Sequence, residues 1–107
     1  MALKHAQPLD VIALHSAGLG DGNSTSTSLL KVPRMQLMRL SLKSGQCVPE
    51  HKAPGEVTIQ CLSGQADVLT PARTCHLTPA TLVMLPAAEP HAVRANEDTV
   101  LLVTLLL

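Results

Sequence analysis

The sequence contains no phenylalanine, tyrosine or tryptophan among its 107 residues. Its core must therefore be built from aliphatic side chains, and any pocket lacks the flat rings on which sugars and nucleobases usually stack. An excess of charge is equally absent, because eight basic residues balance eight acidic ones. Since no basic excess exists to attract a phosphate backbone, we expect no nucleic-acid partner.

Long apolar runs and paired cysteines are also missing. The longest apolar runs fall far below the roughly 20 residues that a membrane span requires, so we expect no membrane partner. Residues Met1–Gly20 lack the basic start and continuous apolar run of a signal peptide. The three cysteines, Cys47, Cys61 and Cys75, include no C-x-x-C pair and leave an odd thiol. Together these absences predict a reducing, cytoplasmic location.

The length of the chain predicts a single domain over residues 1–107. Apolar residues at positions 9, 11, 12 and 14 predict a short amphipathic helix that ends at Gly18 and Gly20. Residues 18–28 are rich in Gly, Ser, Thr and Asn and are interpreted as a loop. We therefore place an N-terminal helix and loop in residues 1–26 and the core of the domain in about 27–107.

The rest of the sequence is typical of an all-β protein. Short runs of β-forming residues recur at intervals of roughly ten residues and are separated by Gly, Pro, Asn and Asp. This spacing favours a sandwich or barrel over βαβ units. The predicted strands are Thr27–Val32, Met35–Lys43, Val57–Leu62, Gln65–Leu69, Thr74–Leu77, Leu82–Leu85, His91–Ala95 and Val100–Leu107.

Two of these strands carry unusual patterns. The apolar residues of Met35–Lys43 change phase near Leu37 and Met38, which indicates either a bulge or burial on both faces. Val100–Leu107 is apolar on both faces, so it is either a central, covered strand or a strand sealed by a second subunit. We expect a homodimer, formed through outer sheet faces and the terminal strands.

Two segments place a histidine at a strand edge beside a proline. The first, Gly45–Gly64, contains His51, and the second, Ala80–Asn96, contains Pro86 and His91. The segments resemble the two sequence motifs of the cupin superfamily, over about residues 35–107. The first cupin motif is Gly, five residues, His, one residue, His, three or four residues, Glu, six residues, Gly. The second is Gly, five residues, Pro, one residue, Gly, two residues, His, three residues, Asn.

The resemblance implies a double-stranded β-helix, also called a jelly-roll barrel, of the RmlC-like cupin type. It also implies a site at the barrel mouth, where three histidines and a carboxylate of a complete cupin hold Fe, Mn, Ni or Zn. Of the motif histidines, only His51 and His91 are present in this chain. These two residues are the predicted metal or ligand site.

The chain departs from both motifs at several positions. Ala53 stands where the second motif histidine is expected, and Val57 stands at the glutamate position, with Glu56 one residue early. The two glycines of the second motif are replaced by Ala80 and Ala88. Two further candidate ligands are weaker: Glu56, which needs a bulge to face inward, and Cys61, which is either a soft ligand or a small buried hydrophobe.

Three functions stay open at this point. The first is a small-molecule-binding protein or metal-dependent enzyme that uses His51 and His91, since the resemblance implies chemistry of the dioxygenase or isomerase kind. The second is a non-catalytic ligand-binding or sensor module that has lost its metal. The third is a structural or assembly domain without a ligand.

Overall fold

The protein is all-β in the computed structural model, which describes residues 5–14 and 25–107. Those residues contain no helix, and therefore no helix that is long and apolar enough to cross a membrane. Nine strands are present in the described residues: β1 (Thr25–Val32), β2 (Met35–Leu42), β3 (Cys47–His51), β4 (Val57–Ser63), β5 (Ala66–Leu69), β6 (Thr74–Leu77), β7 (Leu82–Leu85), β8 (His91–Ala95) and β9 (Thr99–Leu106).

The strands form two antiparallel sheets that pack as a jelly roll. The five-stranded sheet has the order β1-β2-β9-β4-β7, and the four-stranded sheet has the order β3-β8-β5-β6. Alternation along β4, β5 and β8 turns every second residue into the core between the sheets. This core is entirely aliphatic apart from a thiol, as the absence of aromatic residues requires. Its largest fully buried members are Leu42, Ile59, Leu101, Val68 and Cys61, and Leu77 and Leu85 complete its large aliphatic residues.

The last strand, β9, lies in the middle of the five-stranded sheet. It pairs with β2 on one side and with β4 on the other. Its residues Leu101, Val103 and Leu105 belong to or pack against the core, while Leu102 and Leu106 lie on the opposite face. Of the two alternatives for this doubly apolar strand, the central position is the one observed.

The phase change in β2 is explained by burial on both faces. β2 pairs with β9 in continuous register, so β2 itself carries no bulge on that side. The irregularity lies in the neighbouring strand β1, where the register shifts between Ser28 and Leu30. Because all the residues of β2 are at least half-buried, apolar residues are accommodated on both of its faces.

The predicted N-terminal helix is wrong for the described part of that segment, residues 9–14, and its remaining positions lie outside the described residues. A turn replaces it. The Asp10 carboxylate accepts a hydrogen bond from the Gln7 backbone N–H at 2.7 Å, and Leu9 has a φ of 75°. Aspartate competes with helix formation through such local hydrogen bonds, and a left-handed residue cannot continue a helix.

Four turn residues outside the N-terminal segment adopt left-handed backbone conformations. Gly45 and Gly64 have φ values of 84° and 83°, which glycine adopts without a steric penalty. Ala80 and Ala88 have φ values of 69° and 63°. These two alanines stand at the positions where the second cupin motif has glycine. Both alanines therefore adopt a conformation that favours glycine, the residue that the motif has at these positions.

Candidate functional site

A bulge in β3 brings the two motif histidines opposite each other. Val48 pairs with Val93, and His51 pairs with His91, so β3 has two residues between the paired positions where β8 has one. Under regular alternation, a residue three positions after Val48 would lie on the opposite face, and the bulge returns His51 to the face that carries Val48. The bulge contains Pro49, which tolerates such a position because it has no N–H to contribute to a strand ladder.

The two imidazole rings are close neighbours. Their centroids are 4.3 Å apart and their planes are inclined by 56°. His51 Nδ1 lies 2.9 Å from the Pro49 carbonyl oxygen, and His91 Nδ1 lies 2.9 Å from the Glu89 carbonyl oxygen. Since a carbonyl oxygen only accepts, each Nδ1 carries the proton that it donates. In the neutral imidazole, each Nε2 is consequently left as an acceptor, free to bind a proton donor or a metal.

The two histidines differ in burial although their local geometry is the same. His91 is only 3% exposed, whereas His51 is exposed. Both line one pocket of about 350 Å³ that lies between the two sheets. The pair therefore stands at the solvent-facing end of the pocket, with His91 on the inner side and His51 on the outer side.

The walls of this pocket are almost wholly aliphatic. They are formed by inward-facing residues of β2, β4 and β9, namely Met38, Leu40, Val57, Ile59, Val103 and Leu105. The polar side chains that line it are those of Ser26, His51, Lys52 and His91. This volume lies at the lower end of the range typical of small-molecule pockets.

The two weaker candidates do not line the pocket. Glu56 is exposed, and its backbone carbonyl accepts a hydrogen bond from the Leu106 N–H at 3.0 Å. Cys61 is fully buried, with its thiol 3.5 Å from the carbonyl oxygens of Ser63 and Gly64. Burial raises the pKa of the Cys61 thiol, which disfavours the thiolate form that binds metals.

Lys52 is a lining residue that strand alternation alone would have turned outward. β3 ends at His51, so the two-residue period no longer governs the next side chain. Ala53 also lines the pocket, and its carbonyl accepts a hydrogen bond from the Ala88 N–H at 2.8 Å. That bond connects the segment after β3 with the turn before β8, and so supports the relative placement of the two histidine segments.

The side chains at the pocket mouth provide too few ligands for a permanently bound metal ion. Within residues 5–14 and 25–107, no group of three or more His, Cys, Asp or Glu side chains is arranged to hold a metal ion. Two imidazoles supply half of a tetrahedral ligand set, and protein-bound zinc sites use three or four protein ligands. The donor set therefore does not fit a tightly held transition metal.

A separate polar network crosses the outer face of the four-stranded sheet. The Asp67 carboxylate lies 2.7 Å from His76 Nδ1 and accepts a hydrogen bond from the Arg94 guanidinium at 2.9 Å. These hydrogen bonds, that from His76 first, lower the pKa of Asp67. The network joins β5, β6 and β8, and it lies on the opposite side of the sheet from the inward-facing His91 and Val93.

Comparison with solved structures identifies the fold of this two-sheet jelly roll. A conserved protein of unknown function from Streptococcus pyogenes is 21% identical with a TM-score of 0.79, over 99% of this chain and 94% of its own. A cupin superfamily protein from Desulfitobacterium hafniense is 20% identical with a TM-score of 0.76, over 100% of this chain and 98% of its own. The DMSP lyase DddQ from Ruegeria pomeroyi is 22% identical with a TM-score of 0.73, over 78% of this chain and 47% of its own.

No protein-family model and no curated protein matches the sequence. The fold is nevertheless clear, because the structural matches to cupins cover nearly the whole chain. The molecule is a small antiparallel jelly roll with a pocket between its sheets. It has the cupin fold, of the RmlC-like kind, as the two histidine segments predict.

Proposed function

We propose that this protein binds a small, mostly aliphatic molecule in the pocket below His51 and His91. The observation that carries the proposal is the pairing of two imidazoles, each held through Nδ1 by a backbone carbonyl, at the open end of an aliphatic cavity. Few convergent polar groups above an apolar cavity are characteristic of small-molecule sites. Catalysis is not required by this arrangement, although a neutral Nε2 acceptor is also the form of histidine that acts as a general base.

The test of binding uses octan-3-ol as a probe and the histidine ring protons as the NMR readout. Binding in the pocket shifts the His51 and His91 resonances in a saturable manner, because both rings line the cavity. Val103→Phe fills the pocket and should abolish these shifts. Val100→Phe is the matched control, since Val100 lies on β9 but does not line the pocket. Ring shifts that survive in Val103→Phe, or their absence in the unaltered protein, would disprove the proposal.

The competing candidate is a divalent transition metal, Fe, Mn, Ni or Zn, held by the two Nε2 atoms. The observation in its favour is that both rings keep Nε2 available as a ligand atom. Because only two protein ligands are offered, we expect less than about a tenth of an equivalent of any transition metal in protein purified without chelator or nickel resin. A stoichiometric metal that is lost in His51→Ala would instead favour the metal-dependent alternative.

We also propose that the outer face of the five-stranded sheet pairs with a second copy of the chain. Leu82 and Met84 on β7 are 58% and 56% exposed, and they continue a face that carries Leu102 and Leu106 of β9. The five strands have 8, 8, 8, 7 and 4 residues, which at about 3.3 Å per residue and about 4.8 Å between strands give a face of about 550 Å². That area is about two thirds of the roughly 800 Å² per partner of a standard interface, and Ala13 contacts Arg39 at one side of it.

A second copy suits this face because self-complementary pairing can set its apolar residues, Leu82, Met84 and Leu106, against apolar residues of the copy. Arg39, Thr58, Gln60 and Thr104 lie on the same face. Solution mass at micromolar concentration tests the proposal, and a dimer is expected. Leu82→Lys should shift the protein toward monomer, whereas Cys47→Lys, an exposed position on the opposite edge strand β3 of the other sheet, should not. A monomer at that concentration in the unaltered protein contradicts the dimer.

The state of the cysteines supports a reducing, cytoplasmic location, which we include in the proposal. All three thiols are free: Cys47 is exposed, Cys75 is half-buried and Cys61 is buried. Disulfides persist in oxidising compartments and are rare in the cytosol. Localisation of a tagged full chain would test this assignment, and an export to an oxidising compartment would contradict it.

A further inference from the structure

The chemistry of the pocket mouth narrows the class of ligand, and this inference rests on the binding function proposed above. We infer that the ligand is an aliphatic hydroxycarboxylate whose hydroxyl and carboxylate lie close together at one end of a hydrocarbon chain. Three features of the described residues lead to this class: the hydrogen-bonding state of the imidazoles, the charge of the lining side chains, and the position of the polar groups.

The imidazoles call for a hydrogen-bond donor. Their Nδ1 protons are already donated to the carbonyl oxygens of Pro49 and Glu89, so the neutral rings of His51 and His91 offer only acceptors to the pocket. A carboxylate has no proton to give to such a nitrogen, whereas a hydroxyl does. A ligand that satisfies these acceptors therefore carries at least one hydroxyl.

The charge of the lining residues calls for an anion. Among the described residues that line the pocket, Lys52 is the one Lys, Arg, Asp or Glu side chain. Glu50 and Glu56 are close in sequence but do not line it. An ammonium group would meet the Lys52 cation without a compensating carboxylate, and like charges repel at such distances. A carboxylate instead gains an ion pair at the rim.

Three of the four polar side chains that line the pocket are clustered, the fourth being Ser26 on β1, and the remaining lining residues are apolar. Lys52 follows His51 in sequence, and His91 is the cross-strand partner of His51. One end of the ligand must therefore satisfy both the cation and the imidazoles, which places its hydroxyl on a carbon near the carboxylate. The aliphatic walls then receive an unbranched tail. A cavity of about 350 Å³ has room for a ligand on the order of ten non-hydrogen atoms, by comparison with about 30 Å³ per water.

A matched set of three probes tests this class: 3-hydroxyoctanoate, octanoate, which lacks the hydroxyl, and octan-3-ol, which lacks the carboxylate. Dissociation constants are measured at pH 8 by calorimetry, with the His51 and His91 ring resonances followed in parallel. We expect 3-hydroxyoctanoate to bind about tenfold more tightly than octanoate, since a hydrogen bond is worth up to about that factor. We expect it to bind about threefold more tightly than octan-3-ol, because the ion pair at the rim is exposed to solvent.

Two variants and one control variant show which residue is responsible for each difference in affinity. Lys52→Met should weaken both carboxylates about threefold and leave octan-3-ol unchanged, while Lys31→Met, an exposed lysine on β1 outside the pocket, should change none of the three. His51→Phe should reduce the preference for 3-hydroxyoctanoate over octanoate. Because His51 and Lys52 are exposed, neither substitution opens the core.

The possible results separate this inference from the function on which it rests. If octan-3-ol shifts the ring resonances and binds as tightly as 3-hydroxyoctanoate, the pocket binds small molecules but the hydroxycarboxylate class is wrong. Equal dissociation constants for octanoate and 3-hydroxyoctanoate would also disprove the hydroxycarboxylate class, because the imidazoles would then form no favourable hydrogen bond with the ligand hydroxyl. If none of the three probes shifts the ring resonances, the binding function itself fails.

Discussion

His51 faces His91 because a bulge in β3 accommodates the one extra residue between Val48 and His51. The bulge at Pro49 thereby sets the geometry of the pocket mouth, and the carbonyl of the same proline fixes the orientation of the His51 ring. His91 is held in an equivalent way by the carbonyl of Glu89, two residues before it. Each ring is thus anchored by the backbone of its own segment.

The first prediction concerns the tautomers of these rings. At pH 8, long-range ¹H–¹⁵N correlation spectra should show a protonated Nδ1 and an unprotonated Nε2 in both His51 and His91, because each Nδ1 donates to a carbonyl oxygen. His5 serves as a comparison, since its Nε2 lies 2.8 Å from the Ser28 hydroxyl, which both donates and accepts. A protonated Nε2 in either site histidine would contradict the arrangement.

The second prediction concerns the alanines in left-handed conformations. Ala80→Gly and Ala88→Gly should each raise the free energy of unfolding by about 0.5–1 kcal/mol, because glycine removes a steric cost of about 1–2 kcal/mol and adds back some chain entropy. Urea unfolding measures the change. Ala87 lies in the same turn as Ala88 but has no positive φ, so Ala87→Gly should not raise the free energy of unfolding. A loss of stability in both Ala80→Gly and Ala88→Gly would refute the strain.

The third prediction compares two glycines with nearly equal φ values. Gly45→Ala should lower the free energy of unfolding by about 1 kcal/mol, since the added methyl group meets no atom within 4 Å and only the left-handed conformation is penalised. Gly64→Ala should cost several-fold more, because its Cβ would clash with the Asp98 carbonyl oxygen. Equal losses in the two variants, measured by thermal or urea unfolding, would show that this close approach does not exist.

The fourth prediction is the pH dependence that arises from Asp67. Its pKa is lowered in the folded protein, chiefly by the hydrogen bond with His76 and then by that with Arg94. The unfolded chain therefore binds more protons near the ordinary aspartate pKa of about 3.9. The resulting stabilisation is fully present above that pH and is lost as the pH falls through the lower pKa of the folded state.

Asp67→Asn should accordingly lower the free energy of unfolding by about 1–2 kcal/mol at pH 7. The difference from the unaltered protein should shrink as the pH falls below about 4. Glu50→Gln is the control, because Glu50 is exposed and belongs neither to the Asp67 network nor to the pocket lining. This substitution should leave the free energy of unfolding nearly unchanged at both pH values. A deficit in Asp67→Asn that persists undiminished at low pH would point to packing instead of charge.

The strands could be predicted from the sequence because turn residues and alternation are local signals. The predicted limits Thr74–Leu77, Leu82–Leu85 and His91–Ala95 agree with β6, β7 and β8. The helix predicted from residue 9 onward is wrong within the described residues, since periodicity does not reveal that Leu9 and Val11 find no surface to cover. Both side chains are fully exposed.

The details of the site depend on relationships that the sequence does not display. A bulge exists only relative to a partner strand, so the proline at position 49 is a signal for it but not a proof. Lys52 can line the pocket because β3 ends at His51, so strand alternation no longer determines the direction of the next side chain. Cys61 and Ile59 both face the core, as strand alternation predicts, but only Ile59 lines the pocket. Alternation predicts which face of the sheet a side chain occupies, but not how far along the strand the pocket extends.

The central position of β9 has a consequence for the kinetics of folding. Leu42 of β2 is paired with Thr99, so the five-stranded sheet is held together by contacts between segments more than fifty residues apart. During synthesis, β2 and β4 each lack a neighbour until Thr99–Leu106 emerges, and the sheet cannot grow strand by strand from the N-terminus. Such topology is associated with folding times of roughly milliseconds to seconds. In that interval, the unpaired edges of β2 and β4 are the places where nascent chains would aggregate.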